Sequence, residues 1–467
     1  MDVNVNIVTM TIWTPDLKGH KGPRYRAIAD ALASDIASGR LAIGLRLPTH
    51  RDLAEALGVT VGTVSRAYAE ADKRGLIRGE VGRGTFVLGG EEAGAEPSPA
   101  ATSRIDMSLN LPMRDIDDRM LGATLSGIAG RRGLSGLLEY QPQAGSLRHR
   151  AAGAVWITRA GIEAHAGQVL VTSGAQHAMA VLLAALTGPA DVVLAERLAY
   201  PGVRALAALL RLELRGVEID AEGLRPDALE KACRTFKPKV LYCCPTIQNP
   251  TAAMMSESRR RKIAAIAKAH GVAIVEDDSY GMLAPERPRP LSCFAPDASF
   301  YICSLSKTIA PGLRIAYLRA PAARVQQVAS AISATTWMAA PLMAEIAARW
   351  IDDGTAEASL QRKRQETLCR QELAAAVLPA GSFSSHPYSY HLWLRLQGSW
   401  RSAAFAARAW QRGVLVTPAE SFLVEGEAPA AVRVCLSAPP TRAQLEQGLK
   451  ILVETLRGDH DPGMSVV

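Results

Sequence analysis

The sequence predicts a multidomain chain: an α+β head of short helices and a hairpin, followed by an α/β body with a mostly parallel sheet and helices on both faces. Three observations carry this. Residues 89–104, GGEEAGAEPSPAATSR, are rich in Gly, Ala, Pro, Ser and Glu and lack apolar periodicity, which is the composition of a linker. Before it lie two short helical patterns separated by a glycine-containing turn, then a strand–turn–strand pattern. After it, apolar strand-like runs alternate with helical stretches. The resulting division is an N-terminal tail at 1–15, a small unit at 16–88, the linker at 89–104, a large unit at 105–460 and a C-terminal tail at 461–467.

The totals suit that division. A chain of 467 residues is long enough for two to four domains. Its 48% apolar and 21% charged residues are ordinary for a soluble globular protein. No apolar run reaches the roughly 18–20 residues of a membrane span, and the N-terminus carries Asp2 and no basic segment, so neither a membrane partner nor a signal peptide is expected. The 7 cysteines are odd in number and form no CxxC pair or Cys/His cluster, which points to a reducing, cytoplasmic setting and to no metal site. A net charge of +8 is compatible with a nucleic-acid partner, but its placement matters more than its size.

In the small unit, RAIADALASDIASGRL puts Ile28, Leu32 and Ile36 on one helical face, with Gly39 suited to a C-cap. Thr49 can cap the helix of LPTHRDLAEALG, which carries Leu53, Ala54 and Leu57 and ends at Gly58. VGTVSRAYAEADKRG forms the next helix, closed by Gly75, and LIRGEVGRGTFVL reads as two short strands around a Gly/Arg turn. A helix-turn-helix with a wing would place Thr60, Thr63 and Arg66 near the start of its second helix, Arg51 on the first and Arg83 at the wing tip. Recognition helices use such N-terminal residues on base edges and basic groups on phosphates. An oligomerisation module with a solvated charged face fits the same spacing.

In the large unit, the strand-like runs are LVTSG, DVVLAE, KVLYCCP, AIVEDD and FYICSLS. Ligands of such sheets bind beyond the carboxyl ends of the strands, so the strand-end residues are the informative ones. Gly174, Ala175 and Gln176 open a helix, and their N–H groups can bind an anion. Tyr200, Asn249, Asp277 with Tyr280, and Ser304, Ser306 and Lys307 follow the other four runs. Singly, each is more often a cap, a turn residue or a surface charge. Together they supply what pyridoxal phosphate requires: a lysine amine, a carboxylate for the ring nitrogen, hydroxyl and amide donors, an aromatic face and an anion cradle.

LPTHRDLAEALGVTVGTVSRAYAEADKRGLIRGEVGRGTFV resembles the winged helix-turn-helix of the GntR superfamily of bacterial regulators. The resemblance implies that Arg51 and Arg66 contact DNA and that the GRGT wing approaches the minor groove. Val61 departs from it, since many members carry arginine there. SLSKTIAPGLRIAY resembles the lysine motif of fold-type I aminotransferases, and the likeness extends through GAQ, QNPT, EDDSYG and AVRVCLS over most of residues 105–460. It implies Lys307 as the Schiff-base lysine, Asp277 on the pyridine nitrogen, Tyr280 and Asn249 on O3′ and Tyr200 stacked on the ring. Ser304, Ser306, Arg314 and the Gly174–Gln176 amides would hold the phosphate, and Arg433 the carboxylate of an amino-acid ligand. Tyr140 would reach a neighbouring subunit's phosphate. The family's NPTG reads NPTA here, with Ala252, so that turn is expected to shift slightly.

The two resemblances, in this order, match the MocR subfamily. That implies a smaller C-terminal α+β subdomain, a homodimer, operator DNA as partner and a small amino compound as effector, sensed with pyridoxal phosphate at Lys307. The alternative is an active aminotransferase with an accessory DNA-binding head; the site residues are the same in both.

Overall fold

A computed structural model describes residues 13–15, 17, 22–37, 40–41, 47–74, 76–80, 84–87 and 104–458. The chain divides into two compact units, Met1–Ala101 and Thr102–Val467.

The head is built from α1 (Arg24–Ala37), α2 (His50–Leu57) and α3 (Val61–Lys73), followed by the antiparallel pair β1 (Ile77–Glu80) and β2 (Gly84–Val87). Ile28 and Leu32 of α1 meet Leu53 of α2, Val64 and Tyr68 of α3, and Ile77 and Val87 of the hairpin in one buried core. Side-chain caps set the helix ends. Thr49 Oγ1 accepts from Asp52 N while Asp52 Oδ2 accepts from Thr49 N, a reciprocal capping box that starts α2. Gly58 ends α2 at φ 61°, where a Cβ would be strained. Thr60 then caps α3 by accepting from Thr63 N. The angle between α2 and α3 is held by Tyr68 OH donating to Pro48 O at 2.9 Å and by His50, whose ring packs edge-on against Tyr68. Gly39 and Gly75, the expected helix stops, lie outside the described residues.

The large unit centres on a seven-stranded sheet. In chain order its elements are β3 (Val169–Thr172), α4 (Ala175–Leu186), β4 (Val192–Glu196), α5 (Pro201–Leu209), β5 (Glu213–Val217), β6 (Val240–Cys243), β7 (Ala273–Asp277), β8 (Ser299–Ser304), α6 (Leu305–Thr308) and β9 (Ala316–Arg319). The strand order is β3-β9-β8-β7-β6-β4-β5. Strands β5, β4, β6, β7 and β8 pair in parallel, and β9 runs antiparallel to both neighbours. Residues of β3, β6 and β8 are buried throughout, as strands covered on both faces require. Apolar clusters fill the space on either side.

A smaller α+β layer closes the unit. An antiparallel sheet of β10 (Phe383–Ser384), β11 (His391–Arg395), β12 (Thr417–Pro418) and β13 (Ala431–Cys435) has the order β10-β11-β13-β12 and packs with α7 (Arg442–Arg457). Ile105–Asp106 pairs in parallel with Val414–Leu415, so the first strand of the large unit joins this last layer. That pairing carries Ser108–Leu111 over the carboxyl ends of the central strands. No helix among the described residues is long and apolar enough to cross a membrane.

Candidate functional site

At the carboxyl rim of the sheet lies a cavity of about 320 Å³. Ala175, Gln176, Tyr200, Asn249, Asp277, Tyr280, Ser304, Ser306, Lys307, Arg314 and Arg433 all line it. The topology explains the convergence: β3, β4, β6, β7 and β8 each end at this rim, and each is followed by one or more of these residues.

Asp277, the last residue of β7, is buried and held by three donors. Tyr242 OH donates to Oδ2 at 2.9 Å, and Ser279 N and Oγ donate to Oδ1 at 3.1 and 2.5 Å. Burial raises its pKa, and the Ser279 and Tyr242 hydrogen bonds oppose that rise. Lys307 sits on the single turn of α6, which Ser304 caps by accepting from Ser306 N. Burial lowers its pKa to about 8. Its Nζ donates to Asn110 O, and its carbonyl accepts from Tyr390 OH at 2.8 Å. Asn110 Nδ2 lies 3.0 Å from both Tyr280 OH and His391 Nδ1. His391 is buried with its pKa pushed down to about 3, so it is neutral at physiological pH.

On the anion side, Gly174 takes φ 88° at the start of α4, and a Cβ there would come 2.6 Å from Arg314 Nη2. Arg314 Nη1 lies 3.5 Å from Ser306 Oγ. The expectation that all three Gly174–Gln176 amides are available needs correction: Gly174 N donates to Thr172 O at 2.8 Å. The first helical residues, Ala175 and Gln176, have no carbonyl within the helix to bond, and remain as donors. Arg433 Nη1 donates to Asn249 Oδ1 at 2.9 Å and Nη2 to Ser108 O at 2.6 Å, neutral acceptors both. Ala252 occupies φ 59°, so the QNPTA turn keeps a left-handed residue without glycine, a strain of about 1 kcal/mol, and stays closed by Ala252 N donating to Gln248 O at 2.7 Å.

Tyr140 is exposed, beside the Trp337 ring at 5.6 Å, and is absent from the cavity lining. Residues that sequence reasoning missed are Asn110, Tyr242, Ser279, Tyr390 and His391. Tyr242 and Ser279 stood within strand-end motifs already singled out; Asn110 and His391 carried no local signal.

In the head, Arg51 and Arg66 are exposed and in no salt bridge among the described residues, whereas Arg74 is bound to Asp30 and Glu70. Thr60 and Thr63 begin α3 with their hydroxyls 2.9 Å apart, so the Thr60 hydroxyl serves the cap as well as the surface. Val61, the first residue of α3, is 45% exposed. Arg83 lies outside the described residues.

Two family models match, in the order of the two units. Residues 24–87 match the bacterial regulatory proteins of the gntR family, and residues 129–452 match aminotransferase class I and II, a pyridoxal-phosphate-dependent family. The HTH-type transcriptional regulator YdeF of Bacillus subtilis is 33% identical over 443 residues, 94% of this chain and 96% of that protein. The chain belongs to the MocR subfamily of GntR-type transcriptional regulators. The HTH-type transcriptional regulator TauR of Rhodobacter capsulatus is 27% identical to this MocR-type chain over 86% of it and 90% of TauR. Among solved structures, Pyrococcus horikoshii kynurenine aminotransferase has a TM-score of 0.71 at 22% identity, covering 77% of this chain and 92% of that one. An archaeal alanine:glyoxylate aminotransferase has 0.70 at 22%, covering 76% and 91%. Both likenesses concern the fold of the large unit.

The residues of this MocR-type chain fit the family's cofactor. Three buried polar atoms without a partner among the described residues, Asn110 Oδ1, Gln176 Oε1 and Arg433 Nε, belong to side chains that line the cavity. Such atoms are costly unless a ligand satisfies them. The Gly174 cradle adds a space that any side chain would fill.

Proposed function

We propose that this chain binds operator DNA through its head and holds pyridoxal phosphate at Lys307, where an amino compound is sensed, and that it works as a homodimer in the cytoplasm. One observation supports this most: Arg51 and Arg66, exposed and in no salt bridge among the described residues, lie on a capped helix-turn-helix in the same chain as a cavity lined by Lys307, Asp277 and Arg433. A catalyst needs the second set and has no use for the first.

In this reading Lys307 Nζ is the attachment point, and Asp277, fixed by Tyr242 and Ser279, faces the ring nitrogen. Asn249 and Tyr280 serve O3′, Tyr200 covers the ring, and Ser304, Ser306, Arg314 and the Ala175 and Gln176 amides take the phosphate. When bound, the cofactor supplies an aldehyde carbon that exchanges one amine for another and a protonated ring that draws electrons from it. Arg433 is set to receive a carboxylate, because its present partners are neutral and its Nε has none. An effector changes DNA binding only by its different affinity for two states of the protein.

The dimer reading rests on exposed apolar side chains at residues 121–155: Leu121, Leu125, Leu134, Leu138, Leu147 and Val155, with Tyr140 among them. A set this large is unusual on a monomer's surface. An active aminotransferase with an accessory head is the second reading, favoured by Lys307 and the expected cofactor side chains other than Tyr140 lining one cavity.

The test is a footprint of DNA upstream of the gene, with and without pyridoxal phosphate and amino acids. Protection of a repeated site, altered by an amino compound in the wild type and unaltered in Lys307→Ala, is the expected result. Steady-state amino transfer with no protected site would favour the second reading.

A further inference from the structure

The buried arginines of the large unit fall into two kinds. Arg260 faces Glu276 at 4.0 Å and Arg370 binds Glu366 at 2.7 Å. Arg433 and Arg319 make no salt bridge among the described residues, and in both the Nε is buried without a partner. Arg433 belongs to the cofactor cavity. Arg319 belongs elsewhere. It ends β9, which runs antiparallel to β8, with Arg319 opposite Tyr301 and Ala316 opposite Ser304. Arg319 is therefore on the rim of the sheet opposite the one where Lys307 follows Ser304.

There it lines a cleft of about 400 Å³ with Arg289, Gln168, Ser292, Cys293 and His165. Arg319 is 7% exposed, and its Nη1 donates to Pro296 O at 2.7 Å and to Ser299 O at 3.4 Å. Burial lowers its pKa, and the nearby Asp297 carboxylate and Cys293 thiol only partly oppose that shift. The second guanidinium, Arg289, lies over the Phe294 ring at 5.6 Å and is also in no salt bridge among the described residues. The acid in the lining, Glu163, has a side chain 89% exposed and pairs with His165 at 3.7 Å. A buried charge compensated only at a distance, with no carboxylate in contact, is costly, and a planar guanidinium fork matches an oxyanion.

We infer that this cleft binds a small oxyanion, a carboxylate or a phosphate, between Arg319 and Arg289, as a second ligand site separate from the cofactor cavity. Cys293, whose Sγ lies 3.4 Å from Gly161 O, borders the same space and reports on it.

The experiment uses the full chain. Inorganic phosphate and malonate are titrated against chloride at constant ionic strength, reading the melting temperature of the large unit and the rate of Cys293 alkylation by peptide mass spectrometry. At ten times the Kd, a saturable rise of about 2 °C and an approximately tenfold slowing at Cys293 are expected. The stronger of the two anions tells phosphate from carboxylate. Arg319→Met should abolish the protection of Cys293 while melting no lower than the wild type in chloride, since an apolar chain replaces an unpaired buried charge. Arg433→Ala should keep that protection. Retention of Cys293 protection in Arg319→Met, or its loss in Arg433→Ala, would overturn the inference. Should Arg319→Met not fold, the wild-type alkylation decides: no protection of Cys293 by either anion sinks the site.

Discussion

Lys307 is the residue whose environment makes the sharpest prediction. Burial holds its pKa near 8, below the ordinary lysine value. The neutral amine attacks an aldehyde, and its fraction rises from about a tenth at pH 7 to about nine-tenths at pH 9 for such a pKa. Uptake of added pyridoxal phosphate by cofactor-free protein should therefore speed up about tenfold between pH 7 and pH 9, levelling off above; stopped-flow absorbance checks it. A rate still climbing steeply above pH 10 would mean an ordinary, solvated lysine. The stability of the cofactor-free large unit follows the same group. Between about 8 and the ordinary value the unfolded chain binds more protons than the folded one. Stability should thus rise as pH climbs through that window and be lowest below it. At this scale the sequence was informative where a residue followed a strand end: Lys307, Asp277, Asn249 and Tyr200 all line the cavity. Asn110 was not legible. It bonds Lys307 across 197 positions of sequence through a carbonyl, a group every residue possesses. The lost Gly174 amide was illegible for a related reason, because whether an N–H is free depends on the turn before it.

Elements were legible in proportion to how completely their two faces are buried. The runs that became β3, β6 and β8 are buried along their whole length, as strands covered on both faces require. The antiparallel course of β9 left no trace in RIAYLRA, because strand direction is set by partners rather than by side-chain pattern. In the head, by contrast, local chemistry fixes the elements: Thr49, Gly58 and Thr60 are cap residues, each in the backbone conformation its type prefers. Gly58→Ala should then cost the head about 1–2 kcal/mol, from a Cβ forced to φ 61°, and Thr60→Ala about 1 kcal/mol, from the lost cap. Calorimetry on the full chain would show the head's transition lowered and the large unit's unmoved. Arg66→Ala tests the same element as a reader. It should leave the melting curve intact, because the side chain is exposed, and reduce the salt slope of operator binding by about one ion if the contact is to phosphate. Weakened binding at one base position alone, with the slope preserved, would assign it to a base edge instead.

For the whole molecule, the decisive quantity is how many heads meet the operator at once. Two heads on one assembly raise apparent affinity by about 10²–10⁴ over one head when both half-sites are within reach. Leu138, at 89%, and Leu147, at 67%, are apolar residues left largely exposed, and Tyr140 between them is 82% exposed. If a second copy covers them, placing lysine at both positions puts two charges in a desolvated contact and should drive the dimer to monomer. Sedimentation velocity should show the wild type as a dimer and Leu138→Lys/Leu147→Lys as a monomer. The double variant should lose most of its affinity for DNA carrying two half-sites and little for a single half-site, since its head is untouched. Its colour with pyridoxal phosphate then reports on Tyr140. A monomer that takes up the cofactor as tightly as the dimer would leave Tyr140 without a role at the partner's phosphate, and a tenfold weaker uptake would give it one. A wild type that sediments as a monomer on its operator would overturn the dimer itself, and with it the idea that a ligand at Lys307 acts by adjusting two heads at once.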